Sequence, residues 1–231
     1  MMKKYLKPMI ALVLVASLAI GGTIAYLTDE TDEVTNTFTT GTDVIDLTLA
    51  ETTSDSFSIN PAGSEAKDPT ATLVTGSVDS YIYIDVIEYL PSGLLDADGD
   101  TATFADYVTY AVTSDWELIA TVTDSSTGAI TKTYVYTAGT NTPTVVSATE
   151  SDKAIAILTD SITETETNLL GSVSYPATIT NAMLTSLDNL DEEDDDITLS
   201  FVAYAVQAEN LEATDANGQF ASYFSKTLTI A

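Results

Sequence analysis

The chain has 231 residues, of which 35 are acidic, seven are basic, and none is His or Cys. The formal net charge of −28 argues against nucleic acid and anionic membranes as partners, because binding to their phosphates depends on Lys and Arg. The missing His and Cys exclude a zinc site of nitrogen and sulfur ligands, a Ser–His–Asp triad and a Cys–His pair. Hydrophobic residues make up 45% of the chain, which favours a packed domain over disorder.

Residues 1–25 have the pattern of a secretory signal peptide. Three lysines precede an apolar run at 9–20, and small residues follow it. The run is shorter than the ~20 residues that a membrane-spanning helix needs. The sequence therefore predicts export and cleavage between Ala25 and Tyr26. An uncleaved anchor is the alternative, because Ile24 and Leu27 extend the apolar character.

Residues 26–40 would form the free N-terminal segment of the exported protein. The segment begins acidic and continues as a Thr-rich stretch, in which Val34 and Phe38 are the apolar residues that could anchor an edge strand or an added strand. Gly41 ends the stretch. Residues 41–231 have the length of a single all-β domain, long enough to bury a core without disulfides.

Short strands separated by turn signals fill most of this domain. Residues 44–50 alternate apolar and polar side chains, as a half-buried strand does. The strand predicted at 81–89 is so rich in aromatic and β-branched residues that it belongs at the centre of a sheet. Residues 197–207 are apolar on both faces and predict a buried strand. Further strands are predicted at 56–59, 68–74, 104–111, 116–122, 130–136, 145–146, 154–158, 169–175 and 226–230, with those at 116–122 and 130–136 paired as a hairpin.

The helical signal is weak. Residues 177–187 are the best helix candidate, with Pro176 near the start, and residues 209–223 are ambiguous between a loop and a short helix. The pattern predicts an all-β fold, a jelly-roll-like β-sandwich with one or two short helices in its connections.

The acidic loop at 96–100 is the candidate metal site. Asp96, Asp98 and Asp100 stand at alternate positions and could converge on one calcium ion. The loop is not an EF-hand, because Thr101 and Tyr107 occupy the places that require Gly and Glu. A solvated turn is the alternative. The acidic run at 191–196 is a weaker candidate, since six adjacent acids cannot all face one ion.

Two other kinds of site have weak signals. Trp116 and the many tyrosines between Tyr81 and Tyr136 could form a sugar-binding platform, although core and cross-strand packing is favoured. Paired carboxylates could hydrolyse a glycoside, but 35 acidic residues make pairs inevitable, so they carry no information. The sequence predicts no catalytic residues and no zinc.

Three blocks resemble one family of exported proteins. Residues 21–49, GGTIAYLTDETDEVTNTFTTGTDVIDLTL, resemble the N-terminal signature of proteins cut by the SipW-type signal peptidase. Residues 59–86 are similar to the Pro-Gly…Lys-Asp-Pro…Tyr-Val block of the TasA/camelysin family, and residues 197–211 resemble its Ala-Tyr-Ala-Ile-Gln block. The middle region, 90–196, matches no motif of this family.

The resemblance implies a secreted jelly-roll subunit of extracellular biofilm-matrix fibres. In such fibres the N-terminal segment of one subunit adds as a strand to the next, after the signal peptidase has cut behind Ala25. The partners would then be other copies of the same chain. The camelysin branch is described as a cell-surface metalloprotease, and the absence of His favours the structural branch. A monomeric cell-surface adhesion or binding module is the alternative, and a camelysin-like protease is the least favoured.

Overall fold

The computed structural model describes residues 45–51, 58–159, 172–190 and 196–226. The chain divides into two units, Met1–Thr40 and Gly41–Ala231, and all described residues belong to the second. They form antiparallel sheets with short helices between them, so the predicted all-β sandwich is confirmed. Within these ranges no helix is long and apolar enough to span a membrane.

The described strands are β1 (Leu47–Ala50), β2 (Ser64–Ala66), β3 (Thr70–Leu73), β4 (Ser80–Tyr89), β5 (Thr109–Val112), β6 (Trp116–Thr123), β7 (Ile130–Tyr136), β8 (Lys153–Ala156), β9 (Leu158–Thr159), β10 (Ser172–Ser174) and β11 (Thr198–Gln207). The described helices are α1 (Phe104–Tyr107), α2 (Asn181–Asp188) and α3 (Ala213–Tyr223). The strands form three sheets, in the orders β11-β4-β7-β6, β1-β3-β8 and β2-β10-β5-β9.

Strand β4 lies inside the largest sheet, as its composition predicts. It pairs with β11 on one side and β7 on the other. Ile82, Ile84 and Val86 face a core shared with the sheet β1-β3-β8, whereas Tyr81 and Tyr83 face a second core that α3 covers. The strand is therefore buried on both faces, which explains its nearly continuous run of aromatic and β-branched residues.

Several other predictions are confirmed with small shifts. The alternation at 44–50 gives half-buried Leu47 and Leu49 beside exposed Thr48 in β1. Strands β6 and β7 form the predicted hairpin, with a register shift between Leu118 and Ala120. The strand predicted at 154–158 is divided into β8 and β9.

The prediction of a strand over 104–111 is wrong in its first half. Residues Phe104–Tyr107 form α1, and β5 begins at Thr109. Asp106 explains the helix, because its carboxylate accepts hydrogen bonds from both the backbone N–H and the hydroxyl of Thr103, each at 2.7 Å. This arrangement caps the first turn and places Phe104 and Tyr107 together in the core.

The helix predicted at 177–187 begins later. Helix α2 starts at Asn181, and its cap is Thr180, whose Oγ1 accepts from the backbone N–H of Met183 at 3.3 Å. A hydroxyl cap therefore defines the start, rather than Pro176.

Two short strand predictions are not supported as strands. Val146 makes an isolated bridge with Ser80, and Ser58 and Ile59 are irregular. Residues 56–57, 191–195 and 227–230 lie outside the described residues.

The strand predicted at 197–207 is confirmed as β11, but the prediction that it is buried is wrong. Strand β11 is at the end of its sheet. Five of its residues are half-buried, and along its first half they alternate with exposed residues. Its two apolar faces have separate causes. Phe201 and Ala203 pack against the core shared with β1-β3-β8, whereas Tyr204 and Val206 pack beside α3.

Candidate functional site

Strand β11 lies at the edge of the largest sheet that the described residues form. All ten residues of β11 pair with β4 through the register Thr198↔Tyr89 to Gln207↔Ser80. Among the described residues, no strand pairs with the other side of β11. Such an edge presents backbone N–H and C=O groups that can pair with another chain.

Two adjoining cavities run beside the first half of this edge, and we call them together the β11 groove. The larger has a volume of about 770 Å³ and extends along residues 196–200, and the smaller has about 300 Å³ and extends along residues 199–201. Both cavities are lined by Lys67, Leu199 and Ser200. The two cavities therefore share part of their lining and together border residues 196–201.

The wall of the larger cavity contains both apolar and polar side chains. The apolar ones come partly from α1, α2 and β10, and include Phe104, Val173, Leu184 and Leu187. Apolar side chains lining an open groove lose contact with water when another apolar segment covers them, which favours binding.

The hydroxyl of Tyr107 fixes the helices that form this wall. Tyr107 is fully buried, and its hydroxyl donates to the carbonyl of Leu95 at 3.0 Å and lies 3.4 Å from the carbonyl of Met183. This side chain links α1 to α2 and to the loop before α1. The wall is thus held by packing, which includes Leu199 of β11, and by capped helix ends.

Lys67 is the basic residue of the groove. It is 7% exposed, and its Nζ lies 2.6 Å from Oε2 of Glu51 and 5.8 Å from the centre of the Phe201 ring. The ring and the carboxylate both attract the positive charge of the ammonium group. Lys67 is the only basic residue between positions 8 and 131.

Two further lysines balance acidic residues buried on β4. Asp85 is 1% exposed and accepts hydrogen bonds from the Thr133 hydroxyl at 2.7 Å and the Tyr204 hydroxyl at 3.1 Å, and it pairs with Lys226. Burial alone would lower the pKa of Lys226, but the hydrogen bond and charge of Asp85 outweigh burial and raise it.

The second buried acid, Glu88, faces the opposite side of β4. It accepts a hydrogen bond from the Tyr110 hydroxyl at 2.6 Å and pairs with Lys132. Burial raises the pKa of Tyr110, and the hydrogen bond to Glu88 raises it further. None of these groups lines the β11 groove, and each buried acid has a cation and hydroxyl donors as partners, so both clusters stabilise the sheet.

The predicted calcium residues form a tight turn. A bridge between Leu95 and Thr101 closes the loop, and Oδ1 of Asp96 accepts from the backbone N–H groups of Asp98 and Asp100 at 2.9 Å each. The side chains of Asp98 and Asp100 are exposed. In the described ranges no three Asp, Glu, His or Cys side chains are placed to hold a metal ion. Calcium binding at this loop stays a prediction.

The predicted aromatic residues pack instead of forming a platform. Trp116 is 6% exposed, and its Nε1 donates to the carbonyl of Ala156 at 3.0 Å. Tyr83 is fully buried and stacks on Phe220 with ring centres 4.0 Å apart. The remaining predicted site residues, Ala25, Tyr26, Val34 and Phe38, lie outside the described residues.

The β11 groove itself was not predicted from the sequence. Its lining comes from segments more than a hundred residues apart, such as Ile59 and Leu187, so no local pattern contains it. The one available signal was the isolated Lys67, a single basic residue in a long acidic stretch. Searches of protein-family models, of curated proteins and of solved structures found no match to this chain.

Proposed function

We propose that the chain is a secreted structural subunit of extracellular biofilm-matrix fibres. Residues 26–40 of one copy would add as a strand to the open edge of β11 in the next copy, with Val34 and Phe38 in the β11 groove. The observation that supports this proposal is that a ten-residue strand, unpaired on one side among the described residues, borders a groove with apolar side chains in its wall. Strand addition of this kind gives affinity through backbone hydrogen bonds and specificity through side-chain pockets.

The donor segment has a pattern that fits such a groove. Val34 and Phe38 are four residues apart, so they lie on the same face of an extended strand, about 13 Å apart. Along the first half of β11, half-buried residues such as Leu199 and Phe201 alternate with exposed ones, as the side chains of an extended strand do. Each copy would offer one donor segment and one acceptor edge, and head-to-tail contacts that do not close on themselves produce a filament.

Export is part of this function. A signal peptidase would remove residues 1–25 and release Tyr26 as the new N-terminus, so that assembly begins only outside the cell. No catalytic activity and no membrane partner are assigned to the exported chain.

Negative-stain electron microscopy tests the proposed function. Residues 26–231 should form filaments, and the same chain beginning at Gly41 should form none, with each sample prepared with and without calcium. Monodisperse particles from both chains at high concentration, in either buffer, would refute fibre formation and favour the monomeric adhesion module.

A variant of the groove tests the acceptor site. Leu187→Glu places a charge in the wall of the larger cavity, where Leu187 is half-buried on the surface of α2. It should abolish filaments, because an apolar donor cannot cover an unpaired carboxylate without a large desolvation cost.

Leu118→Glu is the matched control for this variant. Leu118 is 47% exposed on β6, the opposite edge strand of the same sheet. Filaments should persist in this control. If Leu187→Glu forms filaments at the same protein concentration as the unmodified chain, the donor segment binds outside the β11 groove.

A further inference from the structure

Resting on the proposed function, we infer that Lys67 determines the direction of the incoming strand. One carboxylate from residues 29–33 of the donor copy would replace Glu51 as the partner of Lys67. This exchange would orient the donor antiparallel to β11. The inference concerns specificity within the β11 groove, and it can fail while fibre formation stands.

The position of Lys67 is the first step. Lys67 lines both cavities of the β11 groove, beside Leu199 and Ser200, and it is almost fully buried. Its partner Glu51 lines the smaller cavity and has a side chain that is 18% exposed. Glu51 can therefore rotate toward water when another carboxylate approaches, whereas Lys67 stays between the cavities.

The acidic residues of the larger cavity and the one basic residue of the groove lie at different places along β11. Asp188 and Asp196 line the larger cavity, near the start of β11. Lys67 lies at the level of residues 199–200, where the two cavities meet. An acidic stretch is therefore repelled from the end near Asp196 and attracted toward Lys67.

The donor segment has a matching asymmetry. Four of the five residues at 29–33 are acidic, and residues 34–40 contain no charge. With residues 29–33 at Lys67, the Val34–Phe38 stretch extends along the larger cavity toward Asp196. Donor numbers then increase while β11 numbers decrease, so the two strands are antiparallel.

The exchange conserves the number of ion pairs. Lys67 keeps a carboxylate partner throughout, so no buried cation is left without one, which would be strongly unfavourable. The donor also brings apolar contacts and backbone hydrogen bonds that Glu51 cannot supply. Glu51 thus competes with the donor for Lys67. Removing the charge of Glu51 should therefore promote fibre growth, whereas removing the charge of Lys67 should weaken it.

The experiment measures the critical concentration for fibre growth of residues 26–231 by sedimentation. Glu51→Gln should lower it about threefold, since removing the competing charge strengthens the attraction of Lys67 for the donor. Lys67→Met should raise it about tenfold, as should neutralising the donor through Asp29→Asn, Glu30→Gln, Asp32→Asn and Glu33→Gln. In a double-mutant cycle, the neutral donor should cause no further loss in the Lys67→Met protein.

Glu117→Gln, an exposed acid on β6, is the control for the general loss of one negative charge. A critical concentration for Glu51→Gln that equals or exceeds that of Glu117→Gln overturns the exchange, while fibres of the unmodified chain leave the proposed function intact. If the unmodified chain forms no fibres, both proposals are wrong. Should Lys67→Met fail to fold, Glu51→Gln and the neutral donor still decide the question.

Cysteine pairs test the direction independently, because the chain contains no native Cys. Antiparallel docking predicts disulfide-linked dimers when Thr37→Cys chains are mixed with Asp196→Cys chains. Parallel docking predicts them for Thr28→Cys mixed with Asp196→Cys instead. Dimers from the second mixture and none from the first would overturn the inferred direction.

Discussion

Lys226→Met should remove the cation that balances the buried carboxylate of Asp85. Removing one partner of a fully buried pair costs ~3–5 kcal/mol, and the Lys226 side chain is 26% exposed, so water reduces this cost. We expect the free energy of unfolding at pH 7 to fall by about 2 kcal/mol. The Thr133 and Tyr204 hydroxyls still donate to Asp85 in the variant, which keeps the loss below the fully buried limit.

Urea unfolding, followed by the fluorescence of the single tryptophan, measures this loss. Trp116 lies in the core and reports on the large sheet that contains Asp85. A loss of this size moves the urea midpoint by about 1 M. Lys153→Met is the matched control, because Lys153 is exposed on β8, and it should change the free energy of unfolding by less than about 0.5 kcal/mol.

The pH dependence gives the sign of the electrostatic contribution. Contact with Asp85 raises the pKa of Lys226 above its ordinary value of 10.5. The contribution is therefore complete below pH 10.5 and is lost as the pH rises through the folded pKa. Burial also raises the pKa values of Tyr83 and Tyr134, which destabilises both proteins at alkaline pH and cancels in their difference.

The difference between wild type and Lys226→Met should thus shrink above pH 10.5. A difference that stays constant to pH 12, or a Lys226→Met protein as stable as the Lys153→Met protein at pH 7, would refute the assigned role of the pair.

Two further changes test the core and the backbone. Phe220→Ala removes the ring stacked on Tyr83 and should lower the free energy of unfolding by ~3–5 kcal/mol, measured in urea. Tyr223→Ala is the control, because Tyr223 is 70% exposed on the same helix; it should lower that free energy by less than about 0.5 kcal/mol. Similar losses for both variants would contradict the packing of α3. Gly63→Ala places a Cβ 2.8 Å from the carbonyl oxygen of Asn60 and should lower the melting temperature. Gly218→Ala is exposed within α3 with nothing near its Cβ; it should stabilise the helix by ~0.5–1 kcal/mol and so raise the melting temperature. A higher melting temperature for Gly63→Ala would show that the turn adjusts to accept the added Cβ.

Local sequence patterns predict two kinds of strand well. The first kind pairs with a strand close in sequence, and the second has side chains whose pattern follows directly from which of its faces are buried. The β6–β7 hairpin has a short connection at 124–129, and the alternation in β1 reflects one buried face. The aromatic and β-branched residues of β4 predict a central strand, and both faces of β4 are buried in the structure. In these cases side-chain periodicity and burial carry the same information.

Position at a sheet edge could not be predicted, because pairing is decided by distant residues. Strand β11 has two apolar faces, like a central strand, yet one of those faces is covered by α3 and the other by a second sheet. Side chains report what lies above and below a strand, and backbone pairing decides what lies beside it. The β11 groove was missed for the same reason, since its wall combines α1, α2 and β10.

Charge limits the kinds of contact that copies of this chain can make. Outside residues 1–25 the basic residues are Lys67, Lys132, Lys153 and Lys226, and all except Lys153 pair with carboxylates in the described structure. The acidic surface therefore makes copies repel one another wherever they meet at random. Backbone hydrogen bonds along β11 and apolar contacts in the β11 groove are free of this repulsion. If a strand docks there as we propose, Lys67 is the one basic residue lining the groove that can set its direction.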